Sequence, residues 1–140
     1  MRWLGICQRA LDEMCRYVHT RQINSRETLA DQQMIKQMIA QSAAELAAAR
    51  ALVLEAAWRV DNEGFKAAKD SISLIKFYTA DVLQKVVDRA IQAHGALGVT
   101  DDTILAFFYR EERAARIYDG PDEVHQMSVA KSILKRVNSD

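Results

Sequence analysis

Proline is nearly absent from this chain, one in 140 residues, and only five glycines accompany it. So small a supply of helix breakers excludes the turn-rich architectures built from many short strands and leaves long helices joined by a few turns. Cysteine is also scarce. Cys7 and Cys15 lie eight residues apart in one helical stretch, about 12 Å along its axis, too far to pair with each other, and both read as core thiols. An excess of either charge is missing too: 19 basic side chains balance 19 acidic ones. That balance leaves no electrostatic footprint for nucleic acid or for an anionic membrane. No long uncharged apolar run could span a bilayer, and no signal-peptide pattern opens the chain, so an intracellular, reducing setting is expected. The three histidines, His19, His94 and His125, form none of the paired Glu-x-x-His or His-x-x-x-His motifs of metal-binding helices, so no metal site is expected.

What is present is helical periodicity over nearly the whole length, which suffices for one domain with its own core. Leu4, Cys7, Leu11, Met14, Cys15 and Val18 recur three and four apart and predict a first helix from about Trp3 to His19. Arg21 to Thr28 loses the period, and Asn24 and Ser25 favour a loop through their own side-chain hydrogen bonds. Met34, Ile35, Met38, Ile39, Leu46, Ala49, Val53 and Ala56 then hold one face of a long second helix, from about Glu27 to Val60. After a polar break at Asp61 to Gly64, Ile72, Ile75, Thr79, Val82, Val86, Ala90 and Ala93 predict a third long helix reaching Gly95. A short loop to Thr100 follows. Thr100, Asp101 and Asp102 suit the start of a fourth helix ending near Tyr118. Gly120 and Pro121 punctuate, Pro121 suits a first helical turn, and a last helix runs to about Val137. The fold class is therefore all-α, an antiparallel bundle of the four-helix type with about five helices, its core built from the three long helices and the last one.

Three features invite a chemical reading. Asp119 lies just before the last helix, where unpaired amides and the helix dipole favour a charged carboxylate, as a base requires; an Asp at that place is equally a cap or turn residue. Arg110, Arg113 and Arg116 could hold phosphate, but among Glu111 and Glu112 at helical spacing they read as a solvated, salt-bridged face. Gly95-Ala96-Leu97-Gly98 either lets backbone approach a ligand closely or ends a helix and begins a turn.

Taken in order, several stretches resemble the C-terminal domain of the acyl-CoA dehydrogenase family: Gln8-Arg9-Ala10-Leu11-Asp12, Ala56-Ala57-Trp58-Arg59-Val60-Asp61, Asp88 through Val99, and Arg116-Ile117-Tyr118-Asp119-Gly120-Pro121-Asp122-Glu123-Val124-His125. The resemblance covers nearly the whole chain, residues 1–140 as one such domain, and the last stretch is similar to a subgroup with aspartate as the base. It implies FAD as cofactor, with Arg21, Gln32, Gln92, Gly95, Ala96, Gly120 and Glu123 at flavin-facing positions and Asp119 at the catalytic carboxylate. A guanidinium such as that of Arg21 suits planar, multi-donor recognition of a pyrophosphate, here that of a neighbouring subunit's FAD. The implied reaction removes the α-proton of an acyl-CoA thioester while the β-hydrogen leaves as hydride to flavin, giving the 2-enoyl-CoA.

The resemblance further implies an acyl-CoA substrate, an electron-transfer acceptor and a homo-oligomer, dimer or tetramer, with no nucleic acid and no membrane insertion. It places the protein in a bacterial cytoplasm, or in the mitochondrial matrix or peroxisome of a eukaryote. The family's N-terminal helical and middle β domains are not encoded in this sequence, so the chain alone is expected to be inactive. Aspartate stands at 119 where the family's pattern has glutamate, Pro121 where many relatives have threonine, and Asn24-Ser25 where they have Phe-Gly. A second reading of the same sequence is a non-enzymatic helical module that self-associates.

Overall fold

A computed structural model describes residues 1–138 and gives five α-helices. They are α1 (Arg2–Thr20), α2 (Gln33–Glu63), α3 (Lys69–His94), α4 (Ile104–Glu112) and α5 (Asp122–Val137), with short 3₁₀ turns at Leu29–Asp31, Gly95–Val99 and Arg113–Arg116. A single bridge between Gln22 and Thr28 is the one piece of extended pairing among the described residues.

The helices form where the period-3.6 apolar stripes lie, and each stripe is the face that is buried. Leu4, Cys7, Ala10, Leu11, Met14 and Val18 of α1 meet Ile35, Leu46, Ala49 and Val53 of α2 and the long stripe Ala80, Val82, Leu83, Val86, Val87, Ala90 and Ala93 of α3. Burying one such aliphatic side chain is worth about 1.5–3 kcal/mol, so this three-helix seam dominates the fold. α3 is its hub, touching every other helix. Contacts between helices fix their directions. Arg89 reaches Glu45 across α2 and α3, Tyr17 stacks on His94 across α1 and α3, and Lys76 reaches the Gly120 carbonyl while Asp70 accepts from Ser132 across α3 and α5. Thus α3 runs antiparallel to α2 and α5 and parallel to α1.

Several details differ from the sequence expectation. The second helix begins at Gln33, not near Glu27, because the Asp31 carboxylate accepts the Thr28 N–H (2.8 Å) and hydroxyl (3.1 Å) and diverts the chain into a 3₁₀ turn first. The segment Gly95–Val99 is a 3₁₀ turn rather than an irregular loop. The fourth helix starts at Ile104, since the Thr100 hydroxyl closes back on the Leu97 carbonyl (2.8 Å), and it gives way to 3₁₀ after Glu112, well short of Tyr118. Pro121 occupies the cap of α5 instead of its first turn. The core also differs. α5 buries only Asp122 and Val129, whereas α4, expected beside the core, inserts Leu105 and Phe108 into it. α5 is a cover laid on α3, and its docking positions the segment that precedes it.

Candidate functional site

The segment Ile117–Pro121 joins the last 3₁₀ turn to α5, and Tyr118, Asp119 and Gly120 within it are held by side chains of α1, α3 and α5. The Tyr118 hydroxyl accepts from Arg2 (2.8 Å) and from the Trp3 indole N–H (3.1 Å). Arg2 also grips the buried Glu112 carboxylate with both terminal nitrogens (2.8 and 2.9 Å), so the start of α1 clamps the end of α4. A two-pronged guanidinium–carboxylate pair of this kind fixes orientation as well as distance. The Asp119 carbonyl faces His125 Nε2 at 3.2 Å. The Lys76 ammonium donates to the carbonyls of Gly120 (3.1 Å) and Ala115 (2.7 Å) and lies over the rings of Trp3 and Tyr118. Arg116 Nε donates to the buried Asp122 carboxylate at 2.6 Å.

Held in this way, Asp119 takes φ 54°, the one positive φ outside glycine among the described residues. A left-handed backbone costs a non-glycine residue roughly 1–2 kcal/mol, and it persists where surrounding contacts over-determine it. Asp119 lines a cavity of about 300 Å³ together with Met1, Trp3, Val53, Ile72, Ile75, Lys76, Thr79 and His125. The walls are mostly apolar, and the Thr79 hydroxyl on them is buried without a partner. An exposed carboxylate beside an apolar cavity is an arrangement able to take a proton from a carbon acid lodged there.

A second cleft, of about 590 Å³, opens at the other end of α1. Arg21, Gln92, Gly95 and Ala96 line it with Tyr17, Gln22, Ile23, Leu29, Ala93, His94 and Leu97. Four of the sequence-predicted flavin positions therefore meet in one place. Their surroundings suit an anion: the exposed Arg21 guanidinium donates to the Gln22 carbonyl (3.2 Å), leaving other donors available for an incoming oxygen. Gly95, at φ 60°, has open space where a side chain would stand. The stacked pair Tyr17 and His94 forms part of the wall, with ring centroids 4.2 Å apart. Gln32 lies outside this lining, in the turn before α2, and Gly120 and Glu123 belong to the Asp119 end of the molecule. From Trp3 to Arg21 the two cavities are about 27 Å apart along α1.

Sequence reasoning missed Ser73, Lys76, Trp3 and Thr79. Lys76 carried a signal, as the cation set between Ile72, Ile75 and Thr79 on an otherwise apolar stripe; Ser73 carried none. Of the arginines read as a salt-bridged face, Arg116 pairs with Asp122 and Arg110 lies 3.9 Å from Glu111. The Cys7 thiol is buried and pushed up to about 12 by desolvation, which leaves it unreactive, and the half-buried Cys15 thiol is raised by the same cause. Among the described residues no three His, Cys, Asp or Glu side chains gather to hold a metal, and no helix is long and apolar enough to cross a membrane.

Comparison with known proteins gives a consistent result. The family described as acyl-CoA dehydrogenase, C-terminal domain, matches residues 1–134. The probable acyl-CoA dehydrogenase FadE2 of Mycobacterium tuberculosis is 48% identical over 139 residues, 99% of this chain and 34% of that protein. A solved structure of a candidate acyl-CoA dehydrogenase from Mycobacterium abscessus superposes with a TM-score of 0.94 at 36% identity, covering 98% of this chain and 33% of the other. Butyryl-CoA dehydrogenase from Megasphaera elsdenii superposes with a TM-score of 0.87 at 29% identity, covering 94% and 34%. The chain thus spans about a third of the length of these relatives.

Proposed function

We propose, from the premise that this chain belongs to the acyl-CoA dehydrogenase family as its C-terminal domain, that it carries the catalytic base of an α,β-dehydrogenation of acyl-CoA thioesters. The observation that carries this reading is Asp119, held at φ 54° on a segment anchored from α1, α3 and α5, at the edge of an apolar cavity. The cavity accepts part of an acyl chain, and its Trp3, Val53, Ile72 and Ile75 walls favour methylene groups over water. Asp119 takes the α-proton as the Cα–H bond breaks. FAD, when bound, supplies the acceptor for the β-hydrogen as hydride, and the product is the 2-enoyl-CoA.

Aspartate in place of glutamate is one methylene shorter, so the backbone rather than the side chain must bring the carboxylate to the α-carbon. The strained φ at 119 is consistent with that demand, and it supports placing the chain in an aspartate-base subgroup. Arg21, Gln92, Gly95 and Ala96 would hold part of an FAD, the guanidinium on its pyrophosphate. The distance of about 27 Å along α1 favours giving that cleft to a neighbouring subunit's cofactor rather than to the one Asp119 faces. A further helical and a β domain would complete both sites, a separate electron-transfer protein would collect the electrons, and the protein would work in the cytoplasm or an organelle matrix.

The test is Asp119→Asn in the protein that contains this chain. We expect flavin absorbance to be retained and acyl-CoA-dependent bleaching to slow by about 10²- to 10⁴-fold, the usual contribution of a positioned base. Turnover at the unaltered rate would remove Asp119 from that role.

A further inference from the structure

We infer that His125 is a positioning residue for Asp119, setting the direction of the carboxylate by holding the peptide carbonyl of residue 119; the inference rests on Asp119 being the base. The His125 ring is a bridge. Nδ1 lies 3.3 Å from the hydroxyl of Ser73, a buried residue of α3, and Nε2 lies 3.2 Å from the Asp119 carbonyl oxygen. A carbonyl only accepts, so Nε2 carries the hydrogen, and in the neutral ring the bare Nδ1 accepts from the Ser73 hydroxyl. Both nitrogens are therefore committed, one to the rigid hub helix and one to the strained peptide.

The next residue fits the same ring. A Cβ added at Gly120 would stand 2.8 Å from His125 Nε2, so the imidazole packs against the side of the backbone that only glycine leaves bare. Gly120 itself has φ 94°, and its carbonyl is taken by Lys76 at 3.1 Å. Two successive carbonyls are thus held by side chains from two different helices. Rotation of residue 119 toward an ordinary φ would break the Nε2 contact. Aspartate has only two side-chain torsions with which to recover from such a rotation, so the position of its carboxylate follows its backbone closely.

The experiment uses the flavin-loaded protein containing this chain, with His125→Gln, His125→Asn, His125→Leu, Asp119→Asn and the His125→Leu/Asp119→Asn double variant, reading kcat, KM and flavin content. A glutamine amide nitrogen reaches where Nε2 stands and can donate to the carbonyl; an asparagine amide reaches only the Nδ1 position. We expect His125→Gln to keep kcat within about threefold, and His125→Asn and His125→Leu to lose about 10- to 100-fold with KM unchanged, the scale set by misplacing a reacting group by about 1 Å. In the Asp119→Asn background His125→Leu should cause no further loss. The inference is overturned if His125→Leu keeps full kcat, if glutamine is as damaging as leucine, or if the loss is the same without the base. Should His125→Leu lose its flavin through misfolding, the glutamine–asparagine contrast decides alone. Failure of the base assignment reads separately, as full activity of Asp119→Asn with its His125 intact.

Discussion

At Gly98 the chain turns back so closely on α3 that an added Cβ would lie 2.6 Å from the Ile91 carbonyl oxygen and 3.0 Å from Ile91 Cα. Both are backbone atoms of the hub helix and neither can yield cheaply. Gly98→Ala should therefore destabilise the protein by about 1–3 kcal/mol, the cost of overpacking, seen as a lower urea midpoint with an unchanged slope. An unshifted midpoint would mean the turn relaxes away from α3. The Gly95-to-Gly98 stretch reads in the sequence either as a close backbone approach to a ligand or as a helix end followed by a turn, and the structure shows the helix end. Gly95 ends α3 with φ 60° and open space above it, and Gly98 brings the turn close against the α3 backbone. Asp119 was legible as a candidate from its place before a helix. Its φ was not, because the carbonyl contacts that hold it come from Lys76 and His125, and Lys76 is 43 positions away in the chain.

Among the elements, the connection between α1 and α2 shows how local chemistry sets a boundary. Asn24 Oδ1 accepts the amides of Arg26 (2.9 Å) and Glu27 (3.1 Å), as its type suggested from sequence, and Thr28 with Asp31 closes the next turn. Bonding to the Thr28 amide, and then to its hydroxyl, holds the Asp31 carboxyl below its ordinary value of 3.8. A depressed folded value means that this contribution to local order is complete above the ordinary value and is lost as pH falls through the lower, folded one. Asp31 is fully exposed, so the effect is confined to the turn. The Thr28 amide resonance should move in a single step at a pH below 3.8, and that step should be missing in Asp31→Asn. A Thr28 step that survives in Asp31→Asn would assign the titration to another group. Helix existence was readable from the stripes of α1, α2 and α3, whereas the starts of α2 and α4 were not. The competing 3₁₀ turns there depend on the side-chain bonds of Asp31 and Thr100.

At the scale of the whole molecule, the three-helix seam is closed but α4 and α5 are not. Phe107, Tyr109, Val124, Met127, Ile133 and Leu134 stay exposed on them. Apolar side chains exposed in such number predict self-association of the isolated chain. Sedimentation of the purified chain should show a dimer or larger species at micromolar concentration, and a compact monomer across that range would contradict it. The same exposure explains why α5, expected in the core, is a cover: its stripe faces outward as much as toward α3.

By itself the sequence determined the all-α class, the three principal helices and the family to which the chain belongs, because period, breakers and local motifs are properties of neighbours in the chain. It also named Arg21, Gln92, Gly95 and Ala96 individually. Only the tertiary structure gathered those four into one cleft, set Asp119 at the far end of α1, and brought Ser73, Lys76 and His125 around it. Contacts such as Ser73 to His125 and Lys76 to Gly120 join positions tens of residues apart, and the geometry of the two sites follows from how α1 and α5 dock on α3, which no local pattern encodes.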